Sequence, residues 1–417
     1  MPTEAPAEAP GRNWRILSIG LLGFSSGLPL ALSGSTLQAW FTTAGMSLRD
    51  IGWITMIGTA YVSKPLWAPL LDRVSLPWLG RRRGWVLLMQ LLCGLALLGM
   101  SCYTPRGTAG TLAFLAVLLA FASATQDIAY DAHRTDLLRP DERGPGIGLM
   151  QLGYRLAMLV SGAFALILAG HVGWSWTYRA MGGLMLAVMA VTVCSPDAPN
   201  EQPASSFAAA VIEPFADFFR RYGGLALGWL VLVVLYKLCD AFALSLSTAF
   251  LLRVPAFSLT QVGAVSKTFG LVAGLLGATG GGWLVTRMRL FPALLVLGIC
   301  QALVNLGYIV LVHSGPNVGA LAAVVSAEYF FSGMGSTAFV VFVTALCNVR
   351  YSATQFALLS ALAAVGRVFL GPVAAWLVPQ VGWSSFFVIA ALSAIPGLGL
   401  VLAMRTAIAR LDKERAA

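Results

Sequence analysis

Long apolar runs recur along this chain, each close to the roughly 20 residues that a helix needs to cross a bilayer, and short polar breaks separate them. The pattern predicts spans near 16–40, 51–71, 85–103, 111–136, 146–169, 178–194, 225–250, 261–284, 291–312, 319–347, 355–377 and 386–404. They leave no room for a soluble domain. The first run is too long for the apolar part of a signal peptide, so it is expected to stay as the first span.

The longest polar break, residues 195–224, divides the chain nearly in half. It opens as a Pro-rich linker, and from Phe207 to Phe219 apolar residues return at helical spacing, which predicts an amphipathic helix on the membrane surface. The expected organisation is a tail at 1–15, a six-helix bundle at 16–194, the linker at 195–224, a second six-helix bundle at 225–404 and a tail at 405–417. The two halves echo each other. ALSGST at 31–36 returns as ALSLST at 243–248, MSLRDIG at 46–52 as FSLTQVG at 257–263, and VGWS at 172–175 again at 381–384. A nearly constant offset at matching positions reads as a parallel repeat of six helices.

Composition agrees with lipid as the solvent: 58% of the 417 residues are hydrophobic and 11% charged, with a mean hydropathy of +0.80. The net charge of +10 does not point to nucleic acid, because the basic residues fall in short connections and make no continuous face. Taking both termini as cytoplasmic, eighteen Lys and Arg lie on the inner side against four, Arg49, Arg106, Arg179 and Arg253, on the outer side. That bias orients the chain as the positive-inside rule requires. The six cysteines are scattered without a CxxC pair or a histidine cluster, so no metal or other cofactor is expected.

Nine ionisable residues fall inside the predicted spans: Lys64, Asp127, Asp131, Arg155, Lys237, Asp240, Lys267, Glu328 and Arg367. At about 2.5–3.5 kcal/mol for each lipid-facing charge, they would cost more than the roughly 5–15 kcal/mol by which proteins are stable. They must therefore line a wet cavity or pair with one another. Asp127 and Asp131 share a face of the fourth helix. Asp127, the deeper, is the expected proton carrier, with service as the fixed partner of a Lys or Arg as the alternative; Asp240 and Glu328 are further proton candidates. Arg155, beside Tyr154, and Arg367 suit a solute carboxylate, or else a salt bridge to Asp127 or Asp240. Lys237 and Asp240, three residues apart, either neutralise each other or face the solute. Lys64 and Lys267 have no charged neighbour within a turn, which favours a ligand role. Gln126, Gln38 and Trp40 complete the expected solute-binding set.

After the second span, LLDR at 70–73 and GRRRG at 80–84 resemble the D-R-x-G-R-R signature of the major facilitator superfamily, with a longer spacer. Asp72, Arg73, Arg81 and Arg82 are read as a cytoplasmic charge clamp that breaks when the halves rock, against plain positive-inside anchoring. The expected fold is all-α, with twelve transmembrane helices in two pseudo-symmetric six-helix halves.

Longer segments narrow the resemblance. GFSSGLPLALSGSTLQAWF, AYVSKPLWAPLLDR, GRRRGW, SATQDIAYDA, LGYRLAMLVSG, LYKLCDAFALSLSTAFL and SATQFALLSALAAVGR together resemble the AmpG muropeptide permeases, over about residues 20–400. The resemblance implies a monomeric, multi-pass inner-membrane transporter that imports N-acetylglucosaminyl-1,6-anhydro-N-acetylmuramyl peptides from periplasm to cytoplasm. It also implies energy from the proton gradient and a role in peptidoglycan recycling and β-lactamase induction. Relatives of this kind extend further at the C-terminus, so functions that depend on such an extension are not expected of this sequence. Two alternatives stand beside this reading. One is a facilitator of another bulky anionic solute, such as an acyl-CoA or a sugar conjugate. The other is a membrane enzyme holding a metal with Asp127, Asp131, His133 and Asp136; helical geometry opposes it, since His133 lies about 200° around the helix from Asp131.

Overall fold

The protein is described from a computed structural model over residues 11–74, 76, 81–139, 141–196, 207–348 and 351–416. Ten helices among the described residues are long and apolar enough to cross a membrane. One of them, Thr354–Ala403, holds 50 residues, or about 75 Å at 1.5 Å per residue, far beyond a hydrocarbon core of roughly 30 Å. It turns at Gly382, whose φ of 77° suits glycine because no Cβ obstructs it, and so counts as two spans. Residues 48–73 add the twelfth. They are broken into Leu48–Ile54, Thr55–Gly58, Thr59–Val62, Lys64–Leu66 and Ala68–Arg73, each too short to register as a crossing by itself.

The spans are therefore span 1 (Arg12–Thr43), span 2 (48–73), span 3 (Arg82–Met100), span 4 (Pro105–Leu137), span 5 (Arg143–Val172) and span 6 (Trp174–Cys194), then span 7 (Leu225–Arg253), span 8 (Leu259–Arg287), span 9 (Leu290–His313), span 10 (Val318–Leu346), span 11 (354–381) and span 12 (383–403). The internal repeat is visible in the backbone. Span 1 breaks between Ser33 and Ser35, at Gly34, and span 7 breaks between Leu244 and Ser247. Both breaks fall inside the repeated segments ALSGST and ALSLST.

Helices in lipid gain little from hydrophobic burial against one another, so close backbone approach through small residues holds them. On spans 1 and 5 a Cβ at Gly153 would stand 2.1 Å from the Gly20 carbonyl oxygen. Spans 8 and 10 repeat the device: a Cβ at Gly277 would stand 2.0 Å from the Phe330 carbonyl oxygen, and one at Gly333 2.4 Å from that of Gly274. Spans 5 and 8 each carry a π-helical turn, Leu159–Phe164 and Val262–Lys267, and these meet where Gly263 approaches the Ala163 carbonyl oxygen.

The halves touch at one end only through described hydrogen bonds. Gln38 Nε2 donates to the Ser245 carbonyl at 3.2 Å, Thr55 Oγ1 to the Val368 carbonyl at 2.8 Å, and Arg253 to the Met46 carbonyl. At the opposite end, which carries residues 11 and 416, no described hydrogen bond joins the first half to the second. Arg15 bonds Glu142 and Arg82 bonds Asp136, while Asn348 and Gln355 of the second half bond Asp217 of the linker. The linker forms the helix Phe207–Tyr222, which docks on the second half by burying Phe218 while Ile212, Phe215 and Phe219 stay exposed.

Candidate functional site

Pro65, which has no N–H to give a helix, follows Lys64 where span 2 restarts as the short turn Lys64–Leu66. The break lets Lys64 reach span 4, where its ammonium forms an ion pair with Asp127. Ser26 Oγ of span 1 donates to the other oxygen of that carboxylate at 2.5 Å, and the Lys64 ammonium also lies 5.3 Å from the Tyr61 ring centroid. Lys64 has no charged neighbour within a turn of its own helix, and its partner lies on another helix, where spacing along one helix cannot show it. Both side chains remain partly wet, 28% exposed for Lys64 and 15% for Asp127. Asp131, one turn on, lies 3.3 Å from Arg134.

Gln126, next to Asp127, points elsewhere. It is fully buried and donates to Ser25 Oγ at 3.0 Å, an oxygen that also takes Gln90 at 3.0 Å, while Thr192 donates to Gln90 at 2.6 Å. This network ties spans 1, 3, 4 and 6 together. Gln126 is structural glue in this state and does not line the cavity, because adjacent helix positions face about 100° apart.

The second half holds its charges differently. Span 7 is interrupted at Lys237, between Leu225–Tyr236 and Leu238–Leu244, and no ion pair of Lys237 with Asp240 occurs among the described residues. Lys237 Nζ donates to Ser336 Oγ at 2.8 Å and lies 5.5 Å from the Phe339 ring centroid. Asp240 accepts from Gln301 Nε2 at 2.9 Å and from Ser332 Oγ at 3.3 Å. Mutual neutralisation is therefore replaced by partners on spans 9 and 10. Glu328, also on span 10, is 2% exposed.

A cavity of about 480 Å³ lies between spans 1 and 5 of the first half and spans 8 and 10 of the second. Arg155 and Ser35 mark its first wall; Tyr329, Ser332, Ser336 and Thr337 mark the second. Arg155 is exposed, and no ion pair of it with Asp127 or Asp240 occurs among the described residues. Tyr154 beside it is half-buried, and Arg367 of span 11 is exposed but outside this lining. Two expected solute contacts sit at the closed end instead. Trp40 is buried, stacked on Trp174 with centroids 5.8 Å apart and tilted against Tyr178 at 4.8 Å; Gln38 bridges the halves. Arg82 Nε lies 3.3 Å from Asp136. The side chains of Asp72, Arg73, Arg81 and Lys267 lie outside the described residues.

The four residues weighed as metal ligands are engaged separately: Asp127 with Lys64, Asp131 with Arg134, Asp136 with Arg82, and His133 with Ser195 Oγ at 3.2 Å. Sequence reasoning missed Ser26, Gln301, Ser332 and Ser336. The repeated hydroxyls in GFSSG and in FFSGMGST were the available signal, since small polar residues at helical spacing opposite an embedded charge are its natural partners.

The family model of the Major Facilitator Superfamily matches residues 19–358. Among known proteins, the chain is 47% identical over 389 residues to the anhydromuropeptide permease of Escherichia coli, covering 92% of this chain and 78% of that protein. It is 35% identical over 395 residues to an uncharacterized protein of Haemophilus influenzae, covering 92% and 93%. Solved structures with the same fold include the nucleoside transporter NupG, with a TM-score of 0.73 at 15% identity over 93% of this chain and 99% of that one. A peptide transporter in complex with sulfate also has a TM-score of 0.73, at 14% identity over 95% of each chain. With a two-half helical architecture, a cavity between the halves and this level of identity, the chain belongs to the major facilitator superfamily of transporters and, within it, to the anhydromuropeptide permease family.

Proposed function

We propose that this protein imports anhydromuropeptides across the bacterial inner membrane in symport with protons. The observation that carries the reading is the 47% identity to the Escherichia coli permease over 92% of this chain. The geometry supports it. A muropeptide is bulky, hydrophilic and carries carboxylates, so it needs a wet cavity with cationic anchors. Arg155 on the cavity wall supplies one, and Arg367 and Lys237 of the second half are further candidates, with Lys267 proposed beside them from the sequence alone. Tyr154 offers a ring face beside Arg155.

The proton site in this reading is Asp127. When it takes a proton from the outer side, the ion pair with Lys64 is lost and the ammonium becomes available to a solute carboxylate. Proton and solute then favour each other's binding, as linkage requires. Asp240 and Glu328 are the alternatives for this role. With residues 1–15, 195–224 and 405–417 in the cytoplasm, as the basic residues argue, the end closed by Gln38, Thr55 and Arg253 faces the periplasm. The structure is then the inward-facing state of a monomer. Its two moving bodies are residues 16–194 and 225–404, and the clamp of Asp72, Arg73, Arg81 and Arg82 forms when the inner side closes.

Uptake of labelled anhydromuropeptide into proteoliposomes under an imposed pH gradient tests the proposal. Accumulation above the equilibrium level supports it; binding without accumulation, or no binding, refutes it.

A further inference from the structure

Ser332 and Ser336 stand one turn apart on span 10 and both line the cavity. Each hydroxyl has one bond behind it, and the chemistry of the partner fixes its direction. The Lys237 ammonium has three donors and no acceptor. Ser336 therefore accepts from Lys237, at 2.8 Å, and keeps its own O–H for the cavity. An ionised carboxylate accepts only. Ser332 therefore spends its O–H on Asp240, at 3.3 Å, and keeps free lone pairs for the cavity. Thr337, the third aliphatic hydroxyl on this wall, is committed to the backbone carbonyls of Ala278 and Gly333, both at 3.1 Å.

We infer that Ser332 and Ser336 form an oriented clamp for one residue of an extended peptide, with Ser332 accepting the peptide N–H and Ser336 donating to the peptide C=O. Residues four apart on a helix have Cβ atoms about 5–6 Å apart, and the N–H and C=O of one extended residue point to the same side, as they do towards a partner strand. The charges behind the hydroxyls reinforce the pattern: a cation polarises Ser336 as a donor, and an anion strengthens Ser332 as an acceptor. Two equivalent hydroxyls without such backing would read neither direction. Span 10 runs from the closed end towards the open end, so the clamped peptide runs the same way, its C-terminal carboxylates towards the open end. The clamp rests on the reading of this cavity as the solute site and adds that its span 10 wall takes the peptide stem, not the sugar.

Calorimetric titration of the purified protein with an N-acetylglucosaminyl-1,6-anhydro-N-acetylmuramyl tripeptide, and with analogues N-methylated at one peptide amide each, tests it. In the wild type one analogue binds about tenfold more weakly, the effect of one lost hydrogen bond. In Ser332→Ala that penalty falls below about twofold. An N-methyl penalty unchanged in Ser332→Ala, or no penalty for any analogue in the wild type, overturns the clamp. Ser336→Thr, which keeps a hydroxyl, retains the affinity for the unmodified tripeptide that Ser336→Ala loses; should Ser332→Ala not fold, equal affinity in these two variants overturns it. If the unmodified tripeptide does not bind the wild type, both the transport reading and the clamp fall, whereas binding with no dependence on either serine removes the clamp alone.

Discussion

Lys64 of span 2 is ion-paired with Asp127 of span 4, and the same carboxylate takes the hydroxyl of Ser26 on span 1. One acid thereby bridges three helices of the first half. In lipid such a pair is costly to break by removing one member, because the survivor is left uncompensated. Here both members are partly wet, so water takes over some of the lost solvation.

Replacing Asp127 by Asn therefore leaves a folded protein. Asn has the shape and charge of the protonated acid, so Asp127→Asn is expected to bind solute and exchange it downhill while losing accumulation driven by the gradient. Binding and counterflow in proteoliposomes check this. A variant too unstable to purify would instead mark Asp127 as a fixed countercharge.

Spans 1 and 5 are held at a spacing that excludes any side chain at Gly153. Gly153→Leu is expected to cost at least about 1–3 kcal/mol, the usual cost of overpacking. At Gly148, on the same span, a Cβ meets nothing within 4 Å, and Gly148→Ala should match or slightly exceed the wild type. Thermal unfolding in detergent compares the two.

The closed end rests on donors aimed at backbone carbonyls, Gln38 to Ser245, Thr55 to Val368 and Arg253 to Met46. Losing Arg253 should shift the population towards the state open at that end. In a cysteine-free background carrying Thr55→Cys and Val368→Cys, the yield of cross-link is expected to drop several-fold on adding Arg253→Ala. An unchanged yield would show that helix packing alone keeps the end shut.

Glu142, in the connection between spans 4 and 5, is 1% exposed. It accepts from Arg15 Nη2 at 2.5 Å and Nε at 3.2 Å, and from the Arg139 backbone N–H at 3.2 Å. The bond to Arg15 holds its carboxyl below the ordinary 4.5. A depressed acid contributes stability above its unfolded value and loses it as pH falls through the folded one. The wild type should therefore melt above Glu142→Gln at pH 7, and the difference should vanish well below pH 4.5. Melting curves of both proteins across that range measure it.

Twelve crossings and the two-half repeat were legible in the sequence because spacing by lipid thickness is a local property. The embedded charges were legible as a set, since each is expensive in lipid, but their pairing was not. Lys64 meets Asp127 sixty-three residues away, and Lys237 and Asp240 find their partners on spans 9 and 10, not in each other. Gln126 and Trp40 were read as solute contacts from their polarity and ring face. One is buried in a network of four helices, and the other is stacked at the closed end. Which side of a helix faces the cavity depends on its rotation against neighbours, and no single run of residues encodes that.

In the proposed cycle Asp127 carries the proton that drives anhydromuropeptide import. Proteoliposomes in weak buffer, at zero membrane potential and with a pH electrode outside, test it directly. Adding anhydromuropeptide to wild-type vesicles should raise the external pH as protons enter with solute, whereas Asp127→Asn vesicles that still bind the solute should show no change. Alkalinisation by Asp127→Asn at the wild-type rate would contradict the account and move the proton to Asp240 or Glu328.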